Sequence, residues 1–223
     1  MHNRTARRLL AMLVAMQSGS LLAAGFALNE QNASDLGQAF AGRSSMAADA
    51  TTVFTNPAGM SMLERAEISA GFAGIMSSTD ISNVRSPIPG TNKGDPVPTT
   101  AIPFAFWSQP LDNGWSVGLG FYVPFGLVTE YESAFQGRYF GTKSELKQLT
   151  LQPTVAYRIS DQWSVGLGVS YNYIEGELSR NAPHPAIPGG PDVRSRVTGD
   201  DSASWGYNVG VLFQPVEGTR IGL

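Results

Sequence analysis

From Glu64 onward, apolar residues recur at every second position. The clearest stretch is Trp163 to Tyr173, with Trp163, Val165, Leu167, Val169, Tyr171 and Tyr173 on one side and Ser164, Gly166, Gly168, Ser170 and Asn172 on the other. A period of two is the signature of a strand whose faces meet different surroundings. The opening phrase occurs twice, as Trp115-Ser116-Val117-Gly118-Leu119-Gly120 and as Trp163-Ser164-Val165-Gly166-Leu167-Gly168. A looser third version runs from Trp205 to Pro215. Leu149, Leu151, Val155, Tyr157 and Ile159 alternate with Gln148, Thr150, Gln152, Thr154 and Arg158; Ile68, Ala70 and Phe72 alternate more loosely; Ile102, Phe104 and Phe106 mark one further strand.

The connections alternate as well. Asp112-Asn113-Gly114, Ser160-Asp161-Gln162 and Glu217-Gly218 are short turns between strands expected near 101–111 and 115–126, 147–159 and 163–178, and 204–216 and 219 onward. Long polar loops are expected near 77–100, 127–146 and 179–203. Short turns at one end and long loops at the other describe an outer-membrane barrel, in which the apolar face meets lipid and the polar face lines the lumen. Trp115, Trp163 and Trp205 are expected beside the short-turn end, where an interfacial aromatic girdle belongs. The alternative is a soluble β-sandwich with the same residues turned inward, although a sandwich rarely collects every long loop at one end.

Residues 24–63 do not alternate. Asn32 to Gly42 reads as a short helix with Ser34 or Asp35 as caps, and Met46 to Val53 as a second. Asn56-Pro57-Ala58-Gly59-Met60 reads as a turn, because asparagine before proline disfavours helix. Inside a barrel such a segment forms a plug. Ahead of it, residues 1–23 carry Arg4, Arg7 and Arg8, an apolar run from Leu9 to Met16 and the small residues Ala23-Ala24. This is the pattern of a cleaved secretory signal peptide. The apolar run falls short of the roughly 20 residues that span a bilayer as a helix.

Composition narrows the classes. Charged residues make up only 15% of the chain, against about 25% in ordinary soluble domains, and mean hydropathy lies near zero. That is too apolar for a soluble protein and too polar for a helical membrane bundle. The 25 glycines and 14 prolines argue against helices. With no cysteine, disulfides and thiolate chemistry are excluded. The net charge of −3, more negative still without the three leader arginines, speaks against nucleic-acid binding.

The mature N-terminus Ala24-Gly25-Phe26-Ala27-Leu28-Asn29-Glu30, then Leu36-Gly37-Gln38-Ala39-Phe40-Ala41-Gly42, Ala47-Ala48-Asp49-Ala50 and Asn56-Pro57-Ala58-Gly59-Met60 resemble, in that order, the FadL-type outer-membrane transporters of long-chain fatty acids and aromatic hydrocarbons. The resemblance is strongest up to about residue 75 and looser in the long loops. It implies an all-β fold: an antiparallel transmembrane β-barrel of fourteen strands with a short helical N-terminal hatch. Six strands and the start of a seventh are present here, over 64–223, and the sequence stops at Arg220-Ile221-Gly222-Leu223 within an apparent strand. The expectation is a fragment that makes no pore alone, since so few strands cannot close around a plug.

The resemblance further implies a monomer in the Gram-negative outer membrane, without cofactor or metal. Its partners would be a hydrophobic small molecule, membrane lipid and lipopolysaccharide. Ligand captured at the outer loops would pass to a site touching the hatch and leave sideways through the wall. The ligand-binding candidates are Phe26, Leu28, Asn29, Glu30 and Phe40, the last read more readily as plain packing in the plug. Asn56, Pro57 and Ala58 form the hatch motif. Pro124, Phe125 and Gly126 match the kinked-strand position; a proline removes a ladder hydrogen bond and a glycine permits a bend, although Pro124 could merely end its strand. Arg138 and Lys143, in a long loop, could attract carboxylates, bind lipopolysaccharide phosphates or stay solvated. A lipase-like barrel enzyme is one alternative, but it needs a nucleophile with a base, and His184, the sole histidine after the leader, has no serine motif beside it. A structural or adhesive barrel is another, with no use for a hatch or a kinked strand.

Overall fold

The computed structural model describes residues 27–187 and 189–223. The expected signal peptide (1–23) and the candidate Phe26 lie outside them. Seven strands pair antiparallel in simple sequence order: β1 (Glu67–Ile75), β2 (Thr100–Pro110), β3 (Trp115–Glu130), β4 (Lys143–Arg158), β5 (Trp163–Ala182), β6 (Val193–Val216) and β7 (Thr219–Gly222). They form a half-barrel. The turn between β2 and β3 carries Asn113 and Gly114 at φ of 60° and 81°, the Asn-Gly pairing that tight hairpins require.

Residues 27–63 lie on the inner face. They form α1 (Ala33–Gly37), α2 (Thr52–Thr55) and a 3₁₀ helix (Pro57–Met62). Both α-helices are shorter than the sequence suggests. Asn32, rather than Ser34 or Asp35, caps α1 by accepting from the Asp35 amide. The expected helix over Asn32–Gly42 ends early because Ala39 and Phe40 turn left-handed, at φ of 52° and 62°.

Burial alternates along β5 as the sequence predicts: Trp163, Val165, Leu167, Val169 and Tyr171 are exposed, while Ser164, Gly166 and Gly168 are buried. Leu119, Phe121, Leu149, Leu151, Tyr207 and Val209 extend the exposed apolar belt. This is the lipid-facing surface of a membrane barrel.

Three sequence expectations change. In β2 the apolar set Ile102, Phe104 and Phe106 turns inward and is buried, because the N-terminal segment supplies an apolar partner there; Trp107 faces out in their place. Trp205 does not sit at the short-turn end. Phe213 stacks on Trp163 there, at 4.2 Å, and Trp115 lies on Tyr157 at 4.7 Å, whereas Trp205 meets Tyr171 at 5.3 Å, eight residues further up the strands. Eight residues of a strand tilted by ~40° rise about 20 Å, so the tryptophans mark both edges of the apolar band. Finally, β3 to β6 run well past that band, and the loops shrink to 131–142 and 183–192. Above the row Leu149–Tyr173 the alternation inverts: Lys147, Glu145, Glu175 and Glu177 take the outward positions, and Leu146, Leu178 and Val197 the inward ones. A search for apolar residues facing outward therefore loses these strand ends.

Candidate functional site

The N-terminal segment is seated on glycines. A Cβ on Gly118 would lie 2.6 Å from both Met60 Sδ and Val53 Cγ2, and one on Gly166 would lie 2.5 Å from the Ala58 backbone nitrogen. The repeated Trp-Ser-Val-Gly-Leu-Gly phrase thus has two duties: its large residues face lipid, and its glycines leave room for the segment. Val53, Met60 and Ala50 are fully buried there, packed with Phe104, Phe106 and Tyr122. The Asn56 amide is the central tie. Its Oδ1 accepts from the Ala58 amide at 3.1 Å and caps the 3₁₀ helix, while its Nδ2 donates to Ser44 O at 2.6 Å and Val211 O at 3.1 Å. Pro57 sits at the first helical position, where its missing N–H costs nothing. From the wall, Gln152 Nε2 donates to Val53 O at 2.7 Å and Asn208 Nδ2 to Phe54 O at 2.8 Å.

The wall itself parts beside this segment. β2 pairs with β3 only from Ala105–Phe121 down to Pro110–Ser116. Above that level β2 continues to Thr100 against β1, and β3 breaks register between Tyr122 and Phe125. Pro124 lies inside this bulge; it does not end the strand, which runs on to Glu130. The carbonyls that β2 no longer covers are taken by the N-terminal segment. The Leu28 amide donates to Pro124 O at 2.9 Å, Gln31 Nε2 donates to Val123 O at 2.6 Å, and Ala27 bridges Phe125. A Cβ on Gly126 would lie 2.9 Å from Leu28 Cδ1. Higher up, the Glu130 amide donates to Pro96 O, and β3 rejoins the first long loop. The outcome is a window between β2 and β3, framed above and below and stopped by residues 27–31.

The predicted residues distribute unevenly around it. Leu28, Pro124, Phe125 and Gly126 meet there. Asn29 and Glu30 follow on the surface, the Asn29 amide donating to Glu30 Oε2 at 2.9 Å. Phe40 is half-buried under Arg43, whose guanidinium carbon stands 5.6 Å from its ring and 4.8 Å from that of Phe54; this is packing in the segment. Gln31 and Arg43 went unnoticed in the sequence. Gln31 is wholly buried. Arg43 reaches Asn29 Oδ1 at 3.2 Å and Asp35 at 3.4 Å; burial draws its pKa down, and Asp35 and Glu30 oppose that. Neither carries a motif, since a lone glutamine or arginine in a polar stretch looks solvated.

Arg138 and Lys143 are not free to meet a carboxylate. Arg138 Nε pairs with Asp192 at 2.5 Å, and Lys143 lies at the start of β4 between Glu145 and Glu177. His184 Nδ1 accepts from the Ala186 and Ile187 amides, a turn contact with no nucleophile attached. On the inner face above the N-terminal segment, Gln148, Thr150 and Asn172 form a hydrogen-bonded polar patch. Over it Leu127, Leu146, Leu178 and Val197 line an apolar groove of about 380 Å³.

A family model described as "Outer membrane protein transport protein (OMPP1/FadL/TodX)" matches residues 14–223. The chain is 30% identical to outer membrane protein P1 of Haemophilus influenzae, over 96% of this chain and 56% of that protein. It is also 30% identical to the long-chain fatty acid transport protein of an Escherichia coli strain, over 96% of this chain and 52% of that one. The crystal structure of a Pseudomonas aeruginosa FadL homologue superimposes with a TM-score of 0.69 at 21% identity, covering 89% of this chain and 51% of the other. The chain spans about half the length of the curated relatives it matches. A lipid-facing half-barrel with a segment seated on its inner glycines and a match over nearly its whole length agree: the chain belongs to the OMPP1/FadL/TodX family of outer-membrane transport proteins.

Proposed function

We propose that this chain forms the hatch-bearing part of a passive channel for long hydrophobic molecules, with long-chain fatty acids the foremost candidates, and that cargo leaves sideways between β2 and β3. The observation that carries this is the pairing of Leu28 and Gln31 with the Pro124 and Val123 carbonyls. A permanent wall would close with a strand. Here the closure is five residues of an otherwise separate segment, held by few bonds and able to withdraw. The apolar inner groove suits an alkyl chain, and its place above the hatch puts it on the route inward. No chemistry is needed, so the protein acts as a conduit and not as an enzyme. The fatty-acid assignment is supported by the name of the Escherichia coli relative.

The absence of cysteine makes a direct test possible. L28C/G126C puts one thiol on each side of the window, at positions whose side chains meet: a Cβ on Gly126 would lie 2.9 Å from Leu28 Cδ1. In cells lacking their own transporter, the oxidised form is expected to stop oleate uptake and the reduced form to restore it. Uptake at the wild-type rate with the disulfide formed would refute lateral exit. Failure of the unsubstituted full-length gene product to support growth on oleate or on any hydrocarbon would refute transport altogether.

A further inference from the structure

Residues 27–31 and residues 50–62 meet different parts of the wall, the first at the window and the second on the glycines, and the Arg43 side chain reaches both. Arg43 starts from a fixed point. The carbonyl of its neighbour Ser44 accepts from Asn56 Nδ2 at 2.6 Å, and the same Nδ2 donates to Val211 O at 3.1 Å. The guanidinium carbon then stands 4.8 Å from the ring of Phe54 in α2 and 5.6 Å from that of Phe40. Phe54 is itself held by the wall, its ring 4.6 Å from that of Tyr122 and its carbonyl accepting from Asn208 Nδ2 at 2.8 Å. From this base the side chain extends to the plug. Nη1 donates to Asn29 Oδ1 at 3.2 Å, while Nε stands 3.4 Å from Asp35 Oδ2 in α1.

The arginine is largely buried, with 21% of its side chain exposed against 12% for Asp35, and a charge is kept in such a place only when it is paired. Glu30 and Asp35 both bear on the guanidinium. Two carboxylates beside one cation leave nothing to draw an anionic cargo, so the group works as a tie within the protein. Its shape matters. A planar fork can turn one edge to a carboxylate, give another N–H to an amide oxygen and lay its face on a ring. A lysine ammonium is a point charge and cannot make these three contacts at once. Asn29 lies between Leu28 and Gln31, the two residues that pair with the Pro124 and Val123 carbonyls. Holding Asn29 therefore fixes the stretch that carries both window bonds to the seated part of the segment.

We propose that Arg43 is a positioning residue of the window, a latch that keeps residues 27–31 against β3. Its role in passage rests on the lateral-exit reading; its hold on the plug does not. The test uses the purified full-length gene product and cells that make it. In R43Q, exchange of the Leu28 amide is expected to quicken about tenfold, the equivalent of one hydrogen bond to a charged group, while the Ala58 amide, bound to Asn56 Oδ1, keeps its protection. R43K keeps the charge without the fork and is expected to match R43Q. An unchanged Leu28 amide would overturn the latch. So would an Ala58 amide that quickens equally, the mark of a merely structural role, or a lysine that restores the wild-type rate. Should R43Q fail to fold, N29A removes the plug's side of the tie and is read in the same way, with a threefold change as the threshold. In cells, R43Q is expected to raise the entry of 1-N-phenylnaphthylamine, and the oxidised L28C/G126C disulfide to cancel that gain. Entry that rises as much with the disulfide formed, or fails to rise although exchange has quickened, would refute exit through the window and leave the latch standing, so the two readings fail separately.

Discussion

Replacing Gln31 by methionine tests how the window is held. Methionine keeps most of the volume of glutamine and removes its donor. In the native protein Gln31 is wholly buried, and its Nε2 donates to Val123 O at 2.6 Å and Leu28 O at 3.3 Å. Without it, the Val123 carbonyl, already abandoned by β2, has no protein partner. An orphaned buried acceptor costs about 1–3 kcal/mol. If that cost falls on the closed state alone, the segment's opening equilibrium shifts by about 5- to 150-fold, since ~1.4 kcal/mol is a factor of ten. The reporter is the Leu28 amide, which donates to Pro124 O in the closed state. Hydrogen exchange at Leu28 is expected to accelerate by that factor while amides in the middle of β4 and β5 keep their protection. An unchanged Leu28 amide would show that Gln31 does not hold the segment. Equal acceleration throughout the sheet would show that Gln31 serves the whole fold and not the window, and the reasoning would fail.

Three further outcomes follow from the same geometry. Gly118→Val drives a side chain into Met60 and Val53; overpacking of this kind costs about 1–3 kcal/mol, so residues 52–62 are expected to become protease-sensitive while the barrel stays folded by gel mobility. Asn56→Ala removes the cap and leaves Ser44 O and Val211 O without the Asn56 amide; a loss of about 1–3 kcal/mol should appear as a lower melting temperature of the folded band. Arg138, and after it Tyr139, hold the Asp192 carboxyl below its ordinary value of 3.8 by hydrogen bonds. A depressed carboxyl contributes stability above its unfolded pKa and loses it as pH falls through the lower folded one. The clasp between the second and third long loops should therefore persist at pH 4 and release only in stronger acid, read as proteolysis near 183–192; release between pH 5 and 6 would contradict it.

The wall was legible in the sequence because lipid imposes a one-sided demand. Wherever bilayer covers a strand, every second residue must be apolar, and β5 shows the result plainly. The pattern gave out where that demand stops or is met from another side. In β2, Ile102, Phe104 and Phe106 obey the hatch and not the lipid, so the apolar set points inward with the same period. In β6, polar residues continue the strand beyond the membrane, and Trp205 could not be assigned to an edge without knowing how far its partner β5 extends. The site was legible only where backbone chemistry is unusual: Pro124 and Gly126 announce a break in a ladder, and Asn56-Pro57 a capped turn. Gln31 and Arg43 act through partners 92 and 14 residues away along the chain, at Val123 and Asn29, and no local pattern records that.

The glycines tie wall and hatch together. A lumen-facing glycine in a strand weakens it, through lost packing and added chain entropy, yet Gly118, Gly120, Gly166 and Gly210 all lie against or beside residues 53–58. That cost is recovered only when Val53, Pro57 and Ala58 are seated, so the sheet and the segment need each other at this level. Higher up the relation changes. Among the described residues, the contact around the window consists of two hydrogen bonds, one bridge and Leu28 against Gly126, with no comparable buried cluster. The inner part of the segment is therefore anchored and its first residues are lightly held. If cargo moves the hatch, the motion should be confined to residues before Asn32 while Asn56 stays bound to Val211. Exchange protection of the Ala58 amide, unchanged when oleate is added and Leu28 is released, is the outcome this division of labour requires.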